Sequence, residues 1–270
     1  MAHAVKGSGS RGEGDPVRVF VLSSPGELAR AAAGRLWGIA KEMPEGRTVH
    51  IALSGGETPR RAYGTLAADP YRARFPWGRV RFWQVDERFV PPGDPRSNRR
   101  MIEETLLSRA PVPEEGFRGV DTALPGPDEA AREYEAVLRR AFPDAPGGIP
   151  RFDAVVLGVG KDGHTASLFP GSGALSSARE LVGTSTGGDP PVSRVTMTLS
   201  LLNAASRIVF LVQGGGKARV LHDVIAAARD PALRSPALPA SLVAPRRGSA
   251  LFLADAEAAR LLPPEWRTAG

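Results

Sequence analysis

Short runs of β-branched and aromatic residues alternate along this chain with stretches whose apolar residues recur every three or four positions. That alternation is the feature that most restricts its fold. The runs are Val17–Leu22, Thr48–Leu53, Val80–Val85, Phe152–Val159, Arg194–Thr198, Ile208–Gln213 and Ala250–Leu253. Several are apolar throughout, as strands covered on both faces must be, rather than alternating in polarity as half-exposed strands do. Between the first two, Leu28, Ala32, Leu36, Ile39, Ala40 and Met43 form one helical stripe, and Tyr134, Val137, Leu138 and Ala141 form another. Strands separated by helices predict an α/β fold: an open, mostly parallel sheet with helices on both faces, in three layers.

At 270 residues and 42% apolar content the chain can bury the core of one such domain, expected over residues 16–270. Residues 1–15 are small, polar and glycine-rich and read as a disordered leader without the apolar segment of a signal peptide. The Gly- and Pro-rich stretches Pro91–Pro95, Ala145–Pro150 and Thr184–Pro191 read as surface loops. No run is long and apolar enough to span a bilayer, so no membrane association is expected. With no cysteine, thiolate chemistry and disulfides are excluded, and a cytoplasmic location is expected. The net charge of +6 could attract nucleic acid, but only Lys6, Lys41, Lys161 and Lys217 of the 35 basic residues are lysine, and the arginines are scattered. A small phosphorylated ligand fits better than nucleic acid.

In open parallel sheets ligands bind beyond the carboxyl ends of the strands, and four such junctions stand out. Ser54-Gly55-Gly56-Glu57-Thr58-Pro59 offers glycines whose N–H groups can turn toward an anion, with Thr58 as N-cap and Pro59 in the first turn; it reads equally as an ordinary strand-to-helix turn. Asp86-Glu87-Arg88 ends a strand with a guanidinium able to grip phosphate and carboxylates able to orient it, or with a solvated ion pair. Gly158-Val159-Gly160-Lys161-Asp162-Gly163-His164 carries the only one of four histidines at such a junction, where a neutral imidazole suits removal of a proton from water. Gln213-Gly214-Gly215-Gly216-Lys217 could set an ammonium against a phosphate, or leave it solvated at a helix start.

Three lookalikes fail. The glycines from Gly158 to Gly163 satisfy G-x-G-x-x-G, but Pro170-Gly171-Ser172-Gly173 interrupts the helix and second strand that a dinucleotide site needs. A Walker A loop would need glycine at Leu211 and a hydroxyl at Ala218, and no G-x-S-x-G elbow occurs.

The segments LSGGETPR (Leu53–Arg60), WQVDERFVPPGDPRSN (Trp83–Asn98), FDAVVLGVGKDGHTASLFPG (Phe152–Gly171), RVTMTLSLLNAA (Arg194–Ala205), VFLVQGGGKARVL (Val209–Leu221) and LPASLV (Leu238–Val243) together resemble the 6-phosphogluconolactonase family, from Val17 to Leu262. The resemblance implies the fold shared with glucosamine-6-phosphate deaminases and ribose-5-phosphate isomerases, and hydrolysis of 6-phosphoglucono-δ-lactone in the oxidative pentose phosphate pathway. It implies no cofactor and no metal, and leaves the oligomeric state open, a monomer included. His164 is then the base. Asp162 or Asp86 orients the imidazole or holds substrate hydroxyls, and Ser54, Gly55, Gly56, Arg88 and Lys217 hold the phosphate. Glu57 departs from related loops, which carry a neutral or basic residue there, and is expected to point away from the ligand. The deaminases follow the histidine with Asn-Glu-Pro, whereas this chain has Ala166-Ser167-Leu168-Phe169-Pro170, which favours hydrolysis over isomerisation or deamination. A non-catalytic sugar-phosphate sensor on the same fold is the remaining alternative.

Overall fold

The computed structural model describes residues 17–177 and 179–268; the leader proposed for residues 1–15 lies outside them. Among the described residues ten strands are formed: β1 (Val17–Leu22), β2 (Val49–Leu53), β3 (Val80–Gln84), β4 (Asp86–Arg88), β5 (Phe117–Arg118), β6 (Ala154–Leu157), β7 (Val182–Gly187), β8 (Val192–Met197), β9 (Arg207–Val212) and β10 (Ser249–Asp255). Seven make a wholly parallel sheet in the order β1-β10-β9-β6-β2-β3-β5.

The continuous apolar runs are explained by where successive residues go. In β2, Ile51 and Leu53 enter one apolar cluster and Ala52 the other; in β3, Phe82 and Trp83 divide in the same way, as do Val156 and Leu157 in β6. Side chains of a strand alternate faces, and here both faces are covered. Helix α1 (Pro25–Glu42) buries the Leu28, Ala32, Leu36, Ile39 and Ala40 stripe. Ser24 caps it by accepting from Glu27 N (3.2 Å), with Pro25 in the first turn where no donor is needed. Helix α2 (Glu57–Leu66) packs beside α1 on that face. After a short turn of helix, α3 (Tyr71–Arg74), and another, α4 (Asn98–Ile102), helix α5 (Pro127–Ala141) buries Tyr134 and Leu138 on the opposite face. A last short turn, α6 (Leu199–Leu202), and α7 (Ala218–Arg229) complete the helices, α7 also adding Leu221, Val224 and Ile225 to that opposite face.

Two expectations need correction. The segment Thr184–Pro191 is a loop only over residues 188–191: Val182–Gly187 is a strand, paired antiparallel with β8. Arg194–Thr198 does contribute a strand, but to a separate three-stranded antiparallel sheet, β4-β8-β7, and not to the parallel one. The run Thr184-Ser185-Thr186-Gly187 is polar and short, so only its tertiary pairing makes it a strand.

The chain leaves β2 toward β3 and β5 but leaves β6 toward β9 and β10. The sheet therefore reverses its winding between β2 and β6, opening a crevice at their carboxyl ends.

Candidate active site

At that crevice lies a cavity of about 400 Å³, the size of a small-ligand pocket. All four junctions reach it: Ser54, Gly55 and Gly56 from β2, Asp86 and Arg88 from β4, His164 from the turn after β6, and Lys217 from the turn after β9. Asp162 stands behind His164. Three buried side-chain atoms with no partner among the described residues, Ser54 Oγ, Arg88 Nε and Gln213 Oε1, belong to residues lining this cavity. Buried polar atoms are ordinarily satisfied, so three at one place mark where a polar ligand would complete the hydrogen bonding.

The histidine turn is built around a close approach. Asp162 Oδ1 lies 2.5 Å from His164 Nδ1 and accepts from His164 N at 3.2 Å, while Gly160 N donates to His164 O at 2.7 Å. The imidazole folds back over Gly160, where a Cβ would meet His164 Nδ1 and Asp162 Oδ1 at under 3.0 Å. In the tautomer whose Nδ1–H donates to the Asp162 carboxylate, the ring keeps the Nε2 lone pair free. Burial pushes the Asp162 carboxyl up, but the charge and hydrogen bonds of His164 outweigh it and hold the group below its ordinary value. Phe169 packs against the imidazole with centroids 4.6 Å apart.

The glycine loop is anchored from beneath by Tyr63 Oη, which donates to Ser54 O at 2.9 Å. Helix α2 begins two residues earlier than the sequence suggests. Gly56, at φ +110°, is its N-cap, and Thr58 lies inside the first turn. Pro59 is tolerated there because the first turn's N–H groups have no intrahelical acceptor. Those N–H groups face an anion-favouring end of the helix. Glu57 is on the rim, its carboxylate 3.7 Å from Arg60 Nε and 3.5 Å from Arg61 Nε.

The Asp-Glu-Arg junction divides its labour. Asp86, buried at the cavity wall, accepts from Ser167 Oγ at 2.6 Å. Glu87 is not a ligand candidate: at 1% exposure it accepts from Arg88 N and Asn98 N on Oε1, each at 2.7 Å, and from Arg99 N, Ser97 Oγ and Gln84 Nε2 on Oε2, at 2.7–2.9 Å. Five donors replace hydration for this carboxylate and pin the Arg88 backbone to the start of α4. Lys217 is half-buried, with Nζ donating to Val159 O at 2.7 Å. Desolvation lowers its pKa, countered by the charge of Asp162.

Two residues of the cavity carry no role in the sequence reading. Asn98 lines it and donates from Nδ2 to Asp86 O at 3.0 Å. Arg194, on β8, lines it although only 9% exposed. An arginine opening a run of threonine, valine and methionine was the available signal, but its neighbour across the sheet could not be read from it.

Comparison with known proteins decides the family. Residues 23–252 match the model of the glucosamine-6-phosphate isomerases/6-phosphogluconolactonase family. The chain belongs to this family. Among its curated members, human 6-phosphogluconolactonase is 41% identical over 255 residues, 92% of this chain and 94% of that one. The Synechocystis 6-phosphogluconolactonase is 36% identical over 226 residues, covering 84% and 90%. The crystal structure of 6-phosphogluconolactonase from Thermotoga maritima superposes with a TM-score of 0.74 at 31% identity, covering 88% of this chain and 99% of that one. A monomeric glucosamine-6-phosphate deaminase, at 20% identity and a TM-score of 0.75, shares the fold.

Proposed function

We propose that this chain, as one catalytic unit from residue 16 onward, hydrolyses 6-phospho-D-glucono-1,5-lactone to 6-phospho-D-gluconate. The observation that carries the reading is the Asp162–His164 pair set over a cavity whose other wall is cationic. The imidazole Nε2 takes a proton from a water molecule, and the hydroxide adds to the lactone carbonyl. The tetrahedral adduct collapses with cleavage of the ring C–O bond, and the leaving ring oxygen takes the proton back from the imidazolium. Asp162 fixes the tautomer and stabilises the charged ring between these steps, and no covalent intermediate is needed. Asp86 is suited to accept from sugar hydroxyls. The Ser54–Gly56 loop at the start of α2, Arg88 and Lys217 supply donors and charge for the phosphate.

The substrate is a small soluble sugar phosphate, so neither nucleic acid nor a membrane is required, and no helix among the described residues is long and apolar enough to cross one. The absence of cysteine accords with a cytoplasmic enzyme. The test is the rate of ring opening of freshly prepared phospholactone, corrected for spontaneous hydrolysis and compared with unphosphorylated gluconolactone. Rapid turnover that depends on the phosphate, reduced roughly a hundredfold or more in His164→Ala, is expected. No acceleration over the spontaneous rate would remove the proposal.

A further inference from the structure

Beside Arg88 the cavity is lined by a second arginine, Arg194. Antiparallel pairing of β4 with β8 sets Arg88 directly opposite Arg194, and both residues line the cavity. Like charges facing each other across a strand pair oppose folding. Burial first, and then the charge of Arg88, lower the pKa of Arg194.

Little of either side chain is spent on the protein. Among the described residues, Arg194 donates only from Nε, to Gly187 O at 3.1 Å, and Arg88 only from Nη1, to Arg96 O. Asp86 and Glu87 are near enough for their charge to favour that of Arg194, yet Asp86 accepts from Ser167 and Glu87 is taken up by five donors, so neither bonds to a guanidinium. Two cations held side by side with most of their donors unspent match a ligand that is itself doubly negative and has several acceptor oxygens.

The placement of Arg194 is built. Its guanidinium carbon sits 5.2 Å from the centroid of the Phe169 ring, a cation–π arrangement. The hairpin makes room for that ring at Gly187, where a Cβ would lie 2.5 Å from Phe169 Cε2. Phe169 also packs on His164. The ring therefore contacts both the imidazole and the guanidinium.

We propose that Arg194 is a phosphate-binding residue, forming with Arg88 a two-guanidinium clamp on the phosphate dianion of the substrate. This rests on the lactonase reading for the identity of the substrate, though not for the anion chemistry. The clamp joins the two sheets' contributions: the glycine loop and Lys217 approach from the parallel sheet, and the arginine pair from the antiparallel one.

The experiment compares the parent chain with Arg194→Ala and Arg194→Lys. Two readouts are used: kcat/KM for phosphorylated against unphosphorylated gluconolactone, and calorimetric titration with inorganic phosphate and with 6-phosphogluconate. Arg194→Ala is expected to cut the preference for the phosphorylated lactone by roughly tenfold or more, mainly through KM, and to weaken binding of both anions by about the same factor. Arg194→Lys, keeping one charge but losing the planar fork, falls between and serves as the readout should the alanine variant fail to fold. Equal losses on both lactones would place Arg194 at the reacting ring and overturn the proposal. So would anion affinities unchanged from the parent, or a parent that binds neither anion. A parent that binds phosphate through Arg194 but opens no lactone would leave the clamp standing and remove the proposed reaction.

Discussion

Replacing Gly160 by alanine tests the histidine site at its tightest point. The new Cβ would meet His164 Nδ1 and Asp162 Oδ1 at under 3.0 Å, so one or both side chains must turn away and the 2.5 Å hydrogen bond between them is lost. Both are surface-accessible, 32% for His164 and 51% for Asp162, and can swing into solvent without opening a cavity. Alanine also lowers the entropy of the unfolded chain relative to glycine. The change in stability should therefore stay within about 1 kcal/mol. Activity should respond quite differently. A positioned general base contributes on the order of 10²–10⁴ in rate, which at 1.36 kcal/mol per tenfold is about 3–5 kcal/mol of barrier. The assay is kcat on fresh phospholactone with a thermal melt in parallel. The informative control is the double variant with His164→Ala. If alanine at 160 acts only by displacing the imidazole, the double variant is no slower than His164→Ala alone, and the coupling energy equals the whole effect of Gly160→Ala. Retention of kcat within about twofold, or a double variant slower by the full factor, would refute the argument that Gly160 is there to admit the Asp162–His164 pair.

Glu87→Gln keeps the shape of the buried side chain but turns an amide NH2 toward at least two of the five donors now facing the carboxylate; a loss of about 2–5 kcal/mol, or a melting point lower by roughly 5–15 °C, is expected, and an unchanged melt would show that the network is dispensable. Lys217→Met should raise KM for the phospholactone by about tenfold or more with a smaller effect on kcat, whereas a pure kcat loss would move Lys217 to the reacting ring. Burial pushes the pKa of His50 down from 6.5 to about 4, and its Nδ1 accepts from Trp83 Nε1 at 3.1 Å. The neutral ring is thus the folded form, and the unfolded chain binds the extra proton between those two values. Stability is complete above pH 6.5 and falls as the pH drops toward 4, by on the order of 3 kcal/mol from this group. Urea unfolding of the parent and of His50→Gln across that range should show a shallower acid loss in the variant; parallel curves would exclude His50 as a source.

How much was legible in the sequence follows from what each pattern encodes. A strand covered on both faces is apolar at nearly every position, so β2, β6 and β9 announce themselves despite His50 and Arg207, and the parallel architecture follows from the helices between them. In such a sheet chemistry gathers at the carboxyl ends of strands, so His164, Asp86, Arg88, Lys217 and the Ser54–Gly56 loop could each be singled out from its own junction, and they do converge on one cavity. The sequence thus determined the fold class and a set of candidate residues, because those depend on local periodicity and on punctuation after strands.

Pairing between distant segments was decided only by the tertiary structure. The short polar strands β4 and β7 have no burial pattern of their own and exist because β8 lies between them. From the sequence Glu87 reads either as a carboxylate orienting the neighbouring arginine or as part of a solvated ion pair, and only the backbone and side-chain donors gathered from residues 84–99 make it a buried anchor. Arg194 stands opposite Arg88 through a register that neither segment encodes alone. A side chain's partner across a sheet is fixed by the alignment of strands far apart in the chain, and that alignment is a property of the whole packed structure.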